Sequence, residues 1–170
     1  MLSEIDRLTA IEEIRLLKAR YFRYLDSKKW GEYAALYAPG ATMDASQSFY
    51  APHPVSGEAY VNGRQDLLEL IMAGSGDMVM TGGEVIASKG RELFPEVITM
   101  HHGHMSEITI QSADRANGIW AMEDRLLFLD PGSPIREIQG FGHYHEDYVK
   151  MDGEWKIAKA KLTRVRVDIH

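Results

Sequence analysis

Cysteine is missing altogether from this 170-residue chain, which excludes disulfide staples, thiolate metal sites and a cysteine nucleophile together. Basic clusters are missing too. No run of Lys or Arg exceeds two residues, and the formal net charge of -6 argues against a nucleic-acid or anionic-membrane partner. No apolar run reaches the length of a membrane span. The opening Met-Leu-Ser-Glu-Ile-Asp-Arg lacks the apolar core of a secretory leader, so a cytoplasmic protein is expected. Two catalytic signatures are also absent: there is no Gly-x-Ser-x-Gly elbow, and Gly74-Ser75-Gly76 alone does not make a nucleotide loop.

What is present is ordinary globular composition, with 45% apolar and 26% charged residues. The length suits one domain over residues 1–170, large enough for a core and a ligand cavity. Thr9-Ala10-Ile11-Glu12 matches a capping box and predicts the start of a long helix. Ile11, Ile14, Leu17, Tyr21, Tyr24 and Leu25 then recur at helical spacing until Asp26-Ser27-Lys28-Lys29 interrupts the apolar face. A shorter helix carries Trp30, Tyr33, Ala34 and Tyr37, with Pro39-Gly40 as its terminator. Leu67, Leu68, Ile71 and Met72 suggest a third helix over 64–73 with Asn62 as its cap. Residues 74–96, rich in glycine and scattered apolar side chains, read as a long loop.

The remainder reads as strands over about 97–111, 115–129, 137–150 and 154–168, joined by short turns such as Asp152-Gly153. Helices first and strands afterwards imply an α+β domain in which a curved, mostly antiparallel sheet wraps the helices as a cone around a pocket.

Three of the seven histidines fall in four residues, at Met100-His101-His102-Gly103-His104. Imidazole titrates nearest neutrality, so the cluster points to proton transfer or to metal binding. Strand parity puts His101 with Gly103 and Met105 on one face and His102 with His104 on the other, unless a bulge at Gly103 changes the register. His102 and His104, joined by His143 or His145, make the metal alternative. Asp26 ends the apolar helix face, and Asp124 shares a strand face with Trp120, Met122 and Leu126. A carboxylate in either place needs a partner if it is buried.

The run Ile14-Arg15-Leu16-Leu17-Lys18-Ala19-Arg20-Tyr21-Phe22-Arg23-Tyr24-Leu25-Asp26 resembles the opening helix of SnoaL-like proteins in the nuclear transport factor 2-like (NTF2-like) superfamily. Met100-His101-His102-Gly103-His104, Trp120-Ala121-Met122-Glu123-Asp124-Arg125-Leu126 and Asp152-Gly153-Glu154-Trp155-Lys156-Ile157 extend the resemblance over nearly the whole chain. Within the superfamily it looks most like the bile acid 7α-dehydratases and more distantly like scytalone dehydratases and lindane dehydrochlorinases. The segment 74–96 is longer here.

The resemblance implies catalytic positions at Tyr21, Asp26, His101, Asp124 and Arg164, with His102 and His104 turned outward and no metal. It also implies a cofactor-free dehydratase or isomerase for a hydrophobic polycyclic or aromatic molecule. His101 would be the base, Asp26 its orienting partner, Tyr21 with Asp124 the donors to an enolate oxygen, and Arg164 an anchor. A homo-oligomer, with a trimer favoured, goes with the family. The alternative is a non-catalytic binding or assembly module on the same cone, including one like a dioxygenase small subunit.

Overall fold

The computed structural model describes residues 2–170. Helix α1 (Glu4–Asp26) begins earlier than the Thr9 box predicts: Ser3 is the N-cap, its hydroxyl accepting from the Asp6 amide while the Asp6 carboxylate accepts from the Ser3 amide. The reason is local. Ser3-x-x-Asp6 is a competent box, and nothing between it and Thr9 interrupts a helix, so Thr9 becomes an exposed interior residue. One face of α1, formed by Ala10, Ile14, Leu17, Lys18, Tyr21 and Leu25, is buried.

Helix α2 (Trp30–Ala34) is short, and Tyr37 already belongs to strand β1 (Tyr37–Asp44). Pro39-Gly40 therefore does not terminate a helix. It lies in the stretch of β1 where the register shifts, between Tyr37 and Thr42, a place where a missing proline N–H is tolerated. The short strands β2 (Ala51–Pro52) and β3 (Ala59–Tyr60) pair with each other. Strand β4 (Asn62–Gly63) takes Asn62 into the sheet, so Asn62 caps nothing. The expected third helix is a 3₁₀ turn at Gln65–Leu67 followed by α3 (Leu68–Ser75), with no side-chain cap.

Residues 74–96 are not a loop. They contain strand β5 (Val79–Thr81) and helix α4 (Gly83–Leu93), which buries Ile86, Ala87 and Gly90. The glycines that suggested a loop include one needed for contact distance: a Cβ on Gly90 would collide with the Trp30 ring. Close packing of α4 on α2, invisible in the sequence, outweighs the poor helix propensity of glycine.

The last four strands fall close to expectation: β6 (Val97–Ile110), β7 (Arg115–Phe128), β8 (Glu137–Met151) and β9 (Glu154–Ile169). The sheet order is β5-β1-β9-β8-β7-β6, with β1 and β4 parallel to β9 and the other pairs antiparallel. Register shifts curve the sheet over α1. One lies between Gly103 and Ser106, two more in the β8–β9 pair. The first moves Met105 off the His101 face and leaves it 91% exposed. A second leaves Ala158 unpaired, which puts it off the inward face that Ala160, Leu162 and Arg164 share.

The placement of the helix start has a direct test. Chemical denaturation should show Ser3→Ala destabilised by about 1 kcal/mol, the usual worth of an N-cap hydroxyl. Thr9→Ala should sit within about 0.5 kcal/mol of wild type, as for an exposed site with no special contact.

Candidate active site

A long apolar helix face and a strand with inward parity bring together two residues 75 apart in the chain. Asp26 is the last residue of α1 and His101 lies in β6; His101 Nδ1 is 2.7 Å from Asp26 Oδ1, and the His101 backbone N–H donates to Asp26 Oδ2 at 2.9 Å. His101 is buried while the Asp26 side chain keeps 26% exposure. A carboxylate only accepts hydrogen bonds, so Nδ1 is the nitrogen that carries a proton towards Asp26, and in the neutral ring the lone pair is on Nε2. A carboxylate at a helix C-terminus opposes the helix dipole. Here three donors offset that, because the Thr99 hydroxyl also donates to Oδ1 at 2.9 Å.

Thr99 in turn accepts from Lys28 Nζ at 2.9 Å. Lys28 stands just past the helix end, with its amide bonded to the Leu25 carbonyl and the Lys29 amide to the Tyr24 carbonyl, at 3.1 and 2.8 Å. This is the Schellman ending, and it puts Lys28 at φ 57°, the position glycine usually takes. Burial pulls the Lys28 ammonium below the ordinary lysine range, and Asp26 partly offsets that.

Tyr21, Leu25, Phe49, His101, Asp124, Tyr144 and Arg164 line a mostly apolar cavity of about 80 Å³. Asp124 faces inward as its parity predicts, directly across the β6–β7 pair from His101. Its partner is Arg164: Nη2 donates to Asp124 Oδ2 at 2.7 Å, with both side chains only 3% exposed. Arg164 Nε donates to the Ser48 carbonyl at 2.9 Å and Nη1 contacts Met122 Sδ at 3.3 Å. Asp124 Oδ1 has no hydrogen-bond partner among the described residues. The pair fits only because residue 140 is glycine, since a Cβ there would collide with both the guanidinium and the carboxylate.

Beneath the cavity lies a second buried ion pair that sequence reasoning did not single out. Lys18 Nζ is 2.6 Å from Glu146 Oε1, with side chains 1% and 0% exposed. The other Glu146 oxygen accepts from the Tyr148 hydroxyl, which itself accepts from Trp120 Nε1 at 2.8 Å. The ammonium also sits 3.9 Å and 3.7 Å from the centroids of the Tyr21 and Tyr144 rings. The signal was present: Lys18 falls on the buried face between Ile14 and Tyr21, and Glu146 shares strand parity with Tyr144 and Tyr148. Burial lowers Lys18 from the lysine range, and Glu146 opposes that shift. Burial first, and neighbouring tyrosines second, raise Tyr21 well above a free phenol; burial likewise raises Tyr144. Both hydroxyls are therefore protonated donors over any ordinary pH.

Four of the five sequence-predicted residues line the cavity, and the fifth, Asp26, holds His101 from behind. Tyr21 lines the cavity directly, whereas Asp26, five residues on at the end of α1, reaches it only through His101. His102 and His104 lie on the outer face, 3.7 and 3.8 Å from Glu123 Oε1. His143 and His145 are also outside, where His145 Nε2 meets Thr163 Oγ1 at 3.0 Å. Among the described residues, no group of three or more His, Asp or Glu is placed to hold a metal ion. Tyr144, Thr99 and Lys28 were missed. Tyr144 had a parity signal, being inward when its histidine neighbours are outward. Lys28 had none, because its reach to Thr99 crosses from helix end to strand.

An open, curved sheet folded over a long helix, with an aspartate-histidine pair in its cavity, defines a cone of the NTF2-like class. The chain belongs to the SnoaL-like domain family, whose profile matches residues 6–161. Its fold is similar to that of a hexachlorocyclohexane dehydrochlorinase, LinA type 2, at 19% identity and TM-score 0.71 over 99% of this chain and 93% of that one. It is also similar to a protein described as a scytalone dehydratase from Novosphingobium aromaticivorans, at 19% identity and TM-score 0.71 over 97% of this chain and 90% of that one. No described helix is long and apolar enough to cross a membrane.

The Lys18–Glu146 pair predicts a specific pattern in urea denaturation. Lys18→Met alone leaves an uncompensated buried carboxylate and should cost about 3–5 kcal/mol, whereas Lys18→Met with Glu146→Gln should recover most of that loss.

Proposed function

We propose that the protein is a cofactor-independent dehydratase or isomerase acting on a hydrophobic, aromatic or polycyclic small molecule. The observation that carries the reading is the 2.7 Å contact between Asp26 and the His101 imidazole at the wall of an apolar cavity. His101 Nε2 takes a proton from a carbon next to a carbonyl, and Asp26 stabilises the imidazolium that forms. Tyr21 and Tyr144 donate hydrogen bonds to the oxygen on which enolate charge develops. Asp124 is engaged as a carboxylate by Arg164 and so acts as an acceptor, a change from the donor role the resemblance implies. In the dehydration, the β C–O bond breaks as the enolate collapses. The departing hydroxide takes the proton held by His101 and leaves as water, so no electrons are gained or lost. In the isomerisation, the same proton returns to a different carbon.

The cavity itself is compact. A second apolar cavity of about 320 Å³ lies behind Phe49, Leu93 and Phe94, which belong to the walls of both. A polycyclic ligand with its reactive ring beside His101 requires Phe49, Leu93 and Phe94 to move aside so that its remaining rings enter the second cavity. We also propose a homo-oligomer, with a trimer favoured, because the outer sheet face carries Ile98, Met105 and Val165 at 47%, 91% and 67% exposure.

Screening hydroxylated and halogenated cyclic ketones, steroids and polyketides for turnover tests the reading. Loss of the base should reduce the rate by about 10²- to 10⁴-fold in His101→Ala; full activity in that variant would overturn the assignment. Ligand binding without turnover, unchanged in His101→Ala, would make the cone a binding module. Light scattering after size exclusion should give three times the chain mass of 19.2 kDa, and a monomer would contradict the trimer.

A further inference from the structure

We infer that Lys28 and Thr99 form a positioning couple that holds the Asp26–His101 pair in its base-competent state, an inference that rests on the proposed role of His101. The bonding directions are fixed by chemistry. An ammonium has only donors and a carboxylate only acceptors, so Lys28 Nζ fills a lone pair of Thr99 Oγ1 and the Thr99 hydroxyl proton must point to Asp26 Oδ1. That locks the carboxylate with Oδ1 on the imidazole and Oδ2 on the His101 amide.

The backbone gives an independent sign that Lys28 is not there for the fold. At φ 57° in the Schellman position a β-carbon is strained and glycine is the better residue for stability. What lysine adds is an ammonium that reaches Thr99 and lies 5.1 and 5.8 Å from the Phe94 and Trp30 rings. Lys28 therefore sits in a strained place with its charge held on three sides, the pattern expected where position serves chemistry.

The electrostatic effect has a definite sign. Asp26 alone favours the imidazolium, which cannot act as a base. A cation on the far side of Asp26 opposes that and keeps more of the imidazole neutral. The other charged or titratable groups lining the cavity around His101 are Tyr21 on α1, Tyr33 on α2, Asp124 on β7, Tyr144 on β8, Arg164 on β9 and Lys89 on α4. Asp124 and Arg164 pair with each other, burial keeps all three tyrosines neutral, and Lys89 is turned to Glu92 at 3.1 Å. Lys28 is thus the cation linked to the carboxylate that orients the base.

The test needs no substrate. Full-length protein with ¹⁵N-labelled histidine is titrated by NMR, with the His101 ring signals assigned by their loss in His101→Asn. Lys28→Met and Lys28→Gly should each move the pH midpoint of His101 upward. Thr99→Val should move it in the same direction, and Lys28→Arg should restore it. Lys28→Gly relieves the strained φ and should melt no lower than wild type, so a shift there cannot be blamed on misfolding. An unchanged midpoint in Lys28→Gly overturns the proposal. With a turned-over compound in hand, the acid limb of kcat/KM should move up by the same amount while KM holds. A shifted midpoint with no turnover of any compound would leave the couple standing and defeat the enzymatic reading; turnover with an unshifted midpoint would do the reverse.

Discussion

The contact between the last residue of α1 and the middle of β6 constrains most of the molecule. Asp26 can reach His101 only if the helix stops where it does, if β6 presents His101 inward, and if the helix lies across the concave side of the sheet. Each condition has its own physical cause: the Schellman ending, the strand parity ahead of the bulge, and the apolar stripe from Ile14 to Leu25. A carboxylate at the negative end of a helix is disfavoured without donors. The site is also where the fold satisfies that carboxylate.

The cone carries more charge inside than its apolar lining suggests. Lys18–Glu146 lies under the floor and Asp124–Arg164 in the wall, each nearly free of solvent. Such pairs rarely add net stability, because desolvation consumes most of the attraction, but losing one partner is costly. Their effect here is to fix geometry. Lys18 packs against the rings of Tyr21 and Tyr144, and Arg164 ties β9 to β7 and to the Ser48 carbonyl. Gly140 and Gly90 belong to the same logic, each giving up a side chain so that a functional or packing group can approach the backbone.

Much of this was legible in the chain. Period-two alternation in 97–169 gave the four long strands, helical periodicity gave the face of α1, and the inward parity of Asp124 followed from Trp120, Met122 and Leu126. These are local patterns, and the burial that enforces them acts on every second or every third to fourth residue. The errors came where a local rule met a distant partner. The glycines of 74–96 look like breakers until α4 is seen packed on Trp30, and Pro39-Gly40 looks like a stop until β1 is seen pairing with β9.

By itself, then, the sequence determined the alternation of elements, the absence of thiol and basic-surface chemistry, and the residue types available for acid-base work. Tertiary structure decided which of three neighbouring histidines faces the cavity, that Asp124 meets Arg164 rather than solvent, and that Lys28 reaches Asp26 through Thr99. The reason is that parity gives two faces without saying which is inside, and a hydrogen bond between residues more than seventy apart depends on how sheet curvature and helix end meet in space.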